Sequence, residues 1–411
     1  MISVNEALQR LLSSFHPVQS ESILLSESAG RVLYEGVKSE IDLPLFTNSS
    51  MDGFAVRSID VSKVSKNHPV TLSIVEDIPA GKIPSIHLEE NQSSRIMTGA
   101  PIPSGADAVI PVEDTDQYDL KSRSSYDLPP AITVYRAVGP GDYIRHKGED
   151  VKKNEVVLHA NSPLKPQELG ILAMLGKAQI SVYRRPKIII LSTGDELVPV
   201  EVPLQSGQIH DSNAYTLSAL IERDFGDPEY LGIVSDNEDS VREFLITAVA
   251  KSADLILSSA GVSVGVFDFV RTVVQSDGNL NFWRVNMRPG KPIAFGDFQG
   301  VPFIGLPGNP VAAFVGYEVF VRPAILKLSG IQDVPRYRIK AKLIEDIESD
   351  GRESYLRGII HLKNDEWIAR LTGHQGSGNL LSLVQANALL IIPSGVKSLA
   401  AGAEVDAWLL D

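Results

Sequence analysis

The chain has no cysteine. Disulfides, zinc–thiolate sites and thiol nucleophiles are therefore excluded. It also lacks a clean apolar run of the roughly 18 residues that mark a membrane-spanning helix, so no membrane partner is expected. The opening residues, Met1-Ile2-Ser3-Val4-Asn5-Glu6, do not follow the basic-then-apolar order of a secretory signal. A soluble cytoplasmic protein is expected. Basic residues are in deficit, 38 Lys and Arg against 51 Asp and Glu, for a formal net charge of −13. No nucleic-acid partner is expected from such a balance. An anionic substrate would need a local basic cluster set against the global field. Two glycine-rich fingerprints are missing as well. No G-x-G-x-x-G follows the first strand of the α/β region, and G-x-x-x-x-G-K-[ST] does not occur. Ordinary dinucleotide and P-loop chemistry are disfavoured by their absence.

What is present is a large globular composition: 411 residues, 43% hydrophobic and 22% charged. That length predicts more than one domain. The organising stretch runs from Lys187 to Leu328. Three apolar runs there, Ile188–Leu191, Leu255–Leu257 and Phe303–Leu306, each meet a loop rich in Gly, Ser, Asp or Pro and then a helical pattern. Uninterrupted apolar runs predict strands buried on both faces, as in a parallel sheet. In such sheets ligands sit beyond the carboxyl ends of the strands, where these loops are. Asn309 is expected to cap a helix beginning at Pro310, with Pro323 as a kink. Asp211-Ser212-Asn213 opens another helix, which Gly226 is expected to close.

The remainder reads as smaller domains. Ser3-Val4-Asn5-Glu6 matches a capping box and predicts a first helix packed on the body of the protein. Short strands broken by Pro and Gly predict an inserted β domain over 46–139, with Asp116 to Pro130 as a polar hairpin tip. Residues 1–45 and 140–178 are expected to pack as one discontinuous α+β domain. The α/β domain covers 179–330. Closely spaced strands over 331–411 predict a small C-terminal β barrel or sandwich. The fold class is thus α/β plus β, multidomain, around a doubly wound central domain.

Carboxylates gather at the expected strand ends: Asp195, Glu196, Asp236 and Asp268. Oxygen donors without His or Cys suit a hard cation such as Mg2+, with Glu196, Asp236 and Asp268 as ligands. Cations gather in Phe282 to Pro292. An extended Arg284–Arg288 segment would put both arginines on one face, and Lys291 follows a Pro289-Gly290 turn. Arginine suits bidentate oxyanion contact and lysine supplies a point charge. Backbone N–H groups around Gly261, Val262, Ser263 and Gly265 can cradle a phosphate or the polar edge of a pterin. Asp52, in a turn-rich stretch ahead of a strand, reads by itself as a turn residue.

Six segments together resemble one family. They are Asn48-Ser49-Ser50-Met51-Asp52-Gly53, Met97-Thr98-Gly99-Ala100-Pro101, Ser192-Thr193-Gly194-Asp195-Glu196-Leu197, Gly261-Val262-Ser263-Val264-Gly265, Arg288-Pro289-Gly290-Lys291-Pro292 and Leu306-Pro307-Gly308-Asn309-Pro310. The chain resembles the molybdopterin molybdenumtransferase family, which includes MoeA and the E domain of gephyrin. The likeness runs in family order from about Asn5 to the Thr372–Ser377 stretch. It implies the last step of molybdenum cofactor synthesis, in which adenylylated molybdopterin and molybdate yield the cofactor and AMP. It also implies four domains, an elongated homodimer, a cleft shared between subunits, and a molybdopterin adenylyltransferase as the partner that supplies substrate. By motif it makes Asp52, Thr98, Asp150, Glu196, Asp236 and Asp268 catalytic candidates. It assigns Thr193, Gly194, Asp195, Gly261, Val262, Ser263, Gly265, Arg284, Arg288, Pro289, Gly290, Lys291, Pro307, Gly308 and Asn309 to substrate binding. Arg352 and Ser377 of the C-terminal domain join them, with Arg357 close to the former. Two departures stand out: Ala260 where many members carry glycine, and arginines at 284 and 288 where lysine is frequent. A molybdopterin adenylyltransferase-like activity and a non-enzymatic, gephyrin-like scaffold are the alternatives.

Overall fold

Ser3 opens helix α1 (Val4–Leu12), its hydroxyl accepting from the Glu6 N–H at 3.2 Å. The reciprocal half of the box does not form, because the Glu6 carboxylate pairs with Arg10 one turn on, at 2.6 Å. Val4, Ala7 and Leu11 line one face of α1 and join the core beneath the central sheet. The computed structural model describes residues 1–118, 128–260, 269–332 and 336–410. Its chain divides into two compact units. One holds Met1–Glu35, Ala160–Ala173 and Lys177–Asp411; the other holds Gly36–His159 and Met174–Gly176. The segments expected to form one discontinuous domain contribute to both. Ser20–Leu24 pairs with Gln179–Tyr183 in the first unit, and Val37–Lys38 pairs with Val156–Leu158 in the second.

The second unit is built on a five-stranded sheet. Its strands are β1 (Gly53–Val56), β2 (Val70–Ile78), β3 (Gln92–Ile96), β4 (Ala108–Pro111) and β5 (Ala131–Val134), in the order β4-β1-β3-β2-β5. Alternate residues of β1 serve two cores, as the two-residue side-chain period requires. Phe54 and Val56 pack with Leu72, Ile110 and Ile132, while Ala55 packs with Ile78, Ile96 and Val109. Gly53 is required at the head of β1, since a Cβ there would lie 1.9 Å from the Ile110 carbonyl oxygen. Most of the expected 116–130 hairpin tip, residues 119–127, lies outside the described residues.

In the first unit, β6 (Lys187–Thr193), β7 (Asp227–Val234), β8 (Leu255–Ser259), β9 (Gly278–Arg284), β10 (Pro292–Phe298) and β11 (Val301–Leu306) form a six-stranded sheet ordered β7-β6-β8-β11-β10-β9. The first four in that order are parallel; β10 and β9 run antiparallel at the other edge. Ile188 and Ile190 enter the core on one face and Ile189 and Leu191 the core on the other. Burial on both faces is why the run is apolar without alternation.

The helices are α2 (Ser212–Arg223), α3 (Glu238–Ala250), α4 (Phe269–Asp277), α5 (Pro310–Gly316) and α6 (Arg322–Leu328). Asp211 caps α2, accepting from Ala214 N–H at 3.1 Å. The chain leaves α2 through Phe225 in the left-handed region, φ 73°, one residue before the expected Gly226. Asn309 stands at the N-cap of α5 without a side-chain hydrogen bond, unlike the expected cap. Tyr317–Val321 forms a wider π turn between α5 and α6. It lies just ahead of Pro323, which has no N–H for the α-helical ladder. Among the described residues no helix is long and apolar enough to cross a membrane.

After α6 come β12 (Arg338–Leu343), β13 (Glu353–Lys363), β14 (Glu366–Leu371), β15 (Ala388–Ile392) and β16 (Glu404–Leu409). They pair in the order β13-β14-β12-β16-β15, and β15 pairs back to β13, closing a barrel around Leu343, Leu356, Ile360, Leu390 and Val405. The two-residue strand Met287–Arg288 adds to β13 at Glu353–Ser354. The α/β domain's basic loop is thereby stitched onto the barrel.

The Gly53 contact sets a test. Gly53→Ala should destabilise the second unit by about 1–3 kcal/mol, the usual overpacking cost, because β1 cannot stay paired with β4. A denaturant midpoint equal to that of the wild type would show that the strands tolerate a Cβ there.

Candidate active site

Two adjoining cavities open at the carboxyl ends of the parallel strands. The first, about 410 Å³, is lined by Thr193 and Glu196 after β6, by Asp211 to Asn213 at the head of α2, by Ser259 and Ala260 after β8, and by Pro307 to Pro310 after β11. The second, about 350 Å³, lies between the α/β domain and the barrel. Arg288, Pro289, Gly290, Lys291, Arg352, Arg357 and Ser377 line it. Pro292, Pro307 and Asn309 are shared by both linings.

The first cavity carries the acidic side of the site. Gly194 has φ 147°, and a Cβ there would sit 2.7 Å from Glu196 Oε2. The backbone φ is one that L side chains rarely adopt, so position 194 suits glycine, and the Glu196 carboxylate folds back over it. The Asp236 N–H donates to Asp195 Oδ1 at 3.2 Å. Partial burial, and next the negative charges of Asp195 and Glu196, push the Asp236 carboxyl above its usual range. Even so, among the described residues no three Asp, Glu or His groups converge closely enough to hold a metal ion. Asp268 and the Gly261, Val262, Ser263 and Gly265 loop lie outside the described residues. At the floor, Ala260 adopts φ 88°, in the region that favours glycine, and its Cβ lies 3.1 Å from where a Cβ on Gly308 would be.

The second cavity is basic. Four cationic side chains line it, Arg288, Lys291, Arg352 and Arg357, and no carboxylate does among the described residues. Arg352 is tied down: Nε donates to Asp350 at 3.0 Å and Nη1 to the Met287 carbonyl at 3.1 Å. The Arg352 guanidinium holds the Asp350 carboxyl below its ordinary range. Arg288 stands 3.9 Å from the same carboxylate. Arg357 differs. It is 1% exposed, its Nε and Nη2 donate to the neutral Ser382 hydroxyl and Gly376 carbonyl, each at 3.0 Å. Burial, and then the charge of Arg288, push its pKa down to about 10. A buried cation without a counterion is costly, and an incoming anion relieves it. Sequence reading put Arg352 first. Burial and partner separate the two, and the usable signal is strand alternation: Leu356 faces the barrel core, so Arg357 points away from it.

Arg284 stands apart from this group. It ends β9 opposite Pro292, is exposed, and lines neither cavity. The expected extended run to Arg288 does not form. Val285 N–H donates to the Lys291 carbonyl and Met287 N–H to the Val285 carbonyl, turning the chain between the two arginines. Ser377 is placed by its carbonyl, which accepts from Val311 N–H at 3.0 Å. Sequence reading also missed Asn213, whose amide bridges two strand-end loops.

Asp52, Thr98 and Asp150 belong to the second unit. Asp52 Oδ1 accepts from both the N–H and the hydroxyl of Thr98, each at 2.8 Å. Asp150 pairs with Arg145, whose strand Ile144–Arg145 is paired with Asn48–Ser49.

A parallel sheet with polar loops at its carboxyl edge and a basic cavity against a β barrel make an α/β protein with a strand-end site suited to an anionic ligand. Residues 189–327 match the model described as a probable molybdopterin binding domain. Residues 2–176 match the MoeA N-terminal region (domain I and II), and 340–410 the MoeA C-terminal region (domain IV). The chain belongs to the MoeA family. It is 39% identical to a molybdopterin molybdenumtransferase of Nostoc sp. strain PCC 7120, over 94% of this chain and 88% of that one. It is 37% identical to one from Haemophilus influenzae over 98% of each. The crystal structure of the molybdopterin biosynthesis moeA protein from Pyrococcus horikoshii OT3 superposes with a TM-score of 0.83 at 32% identity, covering 100% of both chains.

The Asp236 environment has a definite sign. Its folded-state pKa is raised, so its favourable contribution exists below the ordinary aspartate pKa of about 3.9 and is lost as pH rises through the folded value. Asp236→Asn should therefore raise Tm at pH 7, with the gain shrinking towards zero at low pH. A Tm at pH 7 that falls, or does not change with pH relative to the wild type, would contradict the repulsion.

Proposed function

We propose that this chain is a molybdopterin molybdenumtransferase, which inserts molybdate into adenylylated molybdopterin and releases AMP. The observation that carries the reading is the second cavity, four cations without a lining carboxylate among the described residues, in a chain of net charge −13. The curated relatives that bear the enzyme's name support it. Molybdate is a dianion, and Arg357 with Lys291 and Arg288 would hold it. Ser377 would add a hydroxyl, and Arg352 would keep the Met287–Arg288 strand in place. The pterin dithiolene brings the sulfur ligands, and a chain without cysteine offers no competing thiolate. The first cavity would take the remainder of the substrate.

Magnesium belongs to the same proposal. His210 of the first cavity is turned to the Val202 carbonyl at 2.9 Å, which leaves carboxylate oxygens as the donors, and a divalent cation would offset the repulsion that Asp236 feels from Asp195 and Glu196. Glu196 and Asp236 would hold it, with Asp268 as the third ligand proposed from sequence. When bound, the ion supplies neutralising charge for the phosphoanhydride. Glu196 and Asp236 would also orient the attacking oxygen.

AMP release from adenylylated molybdopterin should require molybdate, should stop on chelation and should return with Mg2+. Arg357→Met should keep the fold yet lose about 1.5–3 kcal/mol of molybdate affinity, the scale of a charge-assisted contact. Kinetics unchanged at limiting molybdate would remove Arg357 from the site. Pyrophosphate release from ATP in place of AMP release would move the chain to the adenylyltransferase reading.

The working form we propose is a cytoplasmic homodimer, supplied with substrate by a molybdopterin adenylyltransferase. Asp52, Thr98 and Asp150 would then complete the cleft of the other subunit. Mixing inactive Asp52→Ala and Glu196→Ala chains should restore activity, since one cleft of each mixed dimer receives neither lesion. If verified subunit exchange brings no recovery, the cleft is not shared in this way.

A further inference from the structure

Asn213 is 8% exposed and lines the first cavity. Its amide nitrogen donates to Ser259 Oγ at 2.7 Å and to the Gly308 carbonyl at 2.8 Å. A carbonyl oxygen only accepts, so the group facing Gly308 must be the NH2. Both amide hydrogens are thereby used, and the flip of the amide is settled. The two bonds tie the end of β8 to the loop after β11. Among the described residues no donor reaches Oδ1. That oxygen is not sealed from solvent, and it belongs to a side chain of the cavity wall, where a ligand can reach it.

We propose that Asn213 is a substrate-reading residue, whose fixed Oδ1 accepts a hydrogen bond from the exocyclic amine of a planar heteroaromatic ring. The volume of about 410 Å³ lies within the usual small-molecule range. Leu197, Ile209, Pro292 and Pro307 give the cavity apolar walls suited to a flat ring. A neutral carbonyl oxygen repels phosphate and favours an N–H donor. The inference rests on the proposed substrate, whose pterin and adenine ends both carry such an amine. Either end can supply the donor, and the two are separable by experiment.

Binding is measured by calorimetry on the full chain, without molybdate and without turnover. One pair of probes is AMP and purine riboside monophosphate, which lacks the amine. The other is pterin and pteridin-4-one, again with and without the amine. The wild type should prefer the aminated member of one pair by about tenfold, the worth of one well-made hydrogen bond. The pair that shows it identifies the end bound here. In Asn213→Ala that preference should fall to about one, whereas simple loosening of the loops would weaken both members and leave their ratio unchanged. Asn213→Ser, too short to reach the ligand, carries the same comparison if the alanine variant does not fold or bind. Binding without preference in the wild type, or a preference that survives in the variant, overturns the role of Asn213. Failure of every probe to bind the wild type overturns the substrate reading itself, and this inference with it.

Discussion

A guanidinium removed from water and given only neutral acceptors is the constraint on which the basic half of this site depends. Arg357 is held by Ser382 and the Gly376 carbonyl, with no carboxylate among its described partners. Had a carboxylate been placed beside it, the barrel would gain an ion pair and the cavity would lose its attraction for an anion. Arg352 shows that alternative close by, since Asp350 neutralises it. One arginine thus secures the Met287–Arg288 strand on the barrel while the other retains an unmatched charge. Their separation of roles follows from burial and partner, not from residue type.

The acidic half works by the opposite sign. Partial burial, and next the charges of Asp195 and Glu196, push the Asp236 carboxyl above its usual range, and Glu196 folds back over Gly194. Ala260 accepts a left-handed backbone on the same cavity floor. Strain and repulsion gathered at one sheet edge lower stability and are retained where a ligand relieves them. Both halves meet at Pro292, Pro307 and Asn309, so a ligand spanning them would be drawn at one end by cations and at the other by a bound cation or polar amide.

Much of this was legible in the residues. The apolar runs Ile188–Leu191 and Leu255–Leu257 announce buried parallel strands because covering on both faces removes the need for polar alternation. Of the six segments that resemble the family, those over 192–197 and 306–310 fall at the carboxyl ends of parallel strands and line the first cavity. The misses at Arg284–Arg288 and Asn213 share a cause, a partner distant in sequence. Nothing local to Arg284–Arg288 shows that Met287 and Arg288 will pair with β13, which turns the chain and leaves Arg284 outside both cavities. Asn309 occupies a cap position, yet its side chain does not cap. Asn213 reads as the third residue of a helix start, and only the convergence of β8 and β11 gives its amide two acceptors.

That convergence explains why the recognition element would be an asparagine on a helix and not a group on either loop. A loop backbone can present a donor or an acceptor, but its position drifts with the loop. Asn213 sits in the first turn of α2, whose cap Asp211 is itself buried and accepts from the Ala214 N–H and the Tyr230 hydroxyl. The helix therefore fixes the amide, the amide fixes the two loops, and the loops fix the cavity between them. A side chain that spends both donors on the scaffold has only its acceptor left for a ligand. Its hydrogen-bonding preference is decided by the fold before any ligand arrives, which is how a neutral group can discriminate in a cavity whose neighbouring wall is strongly charged.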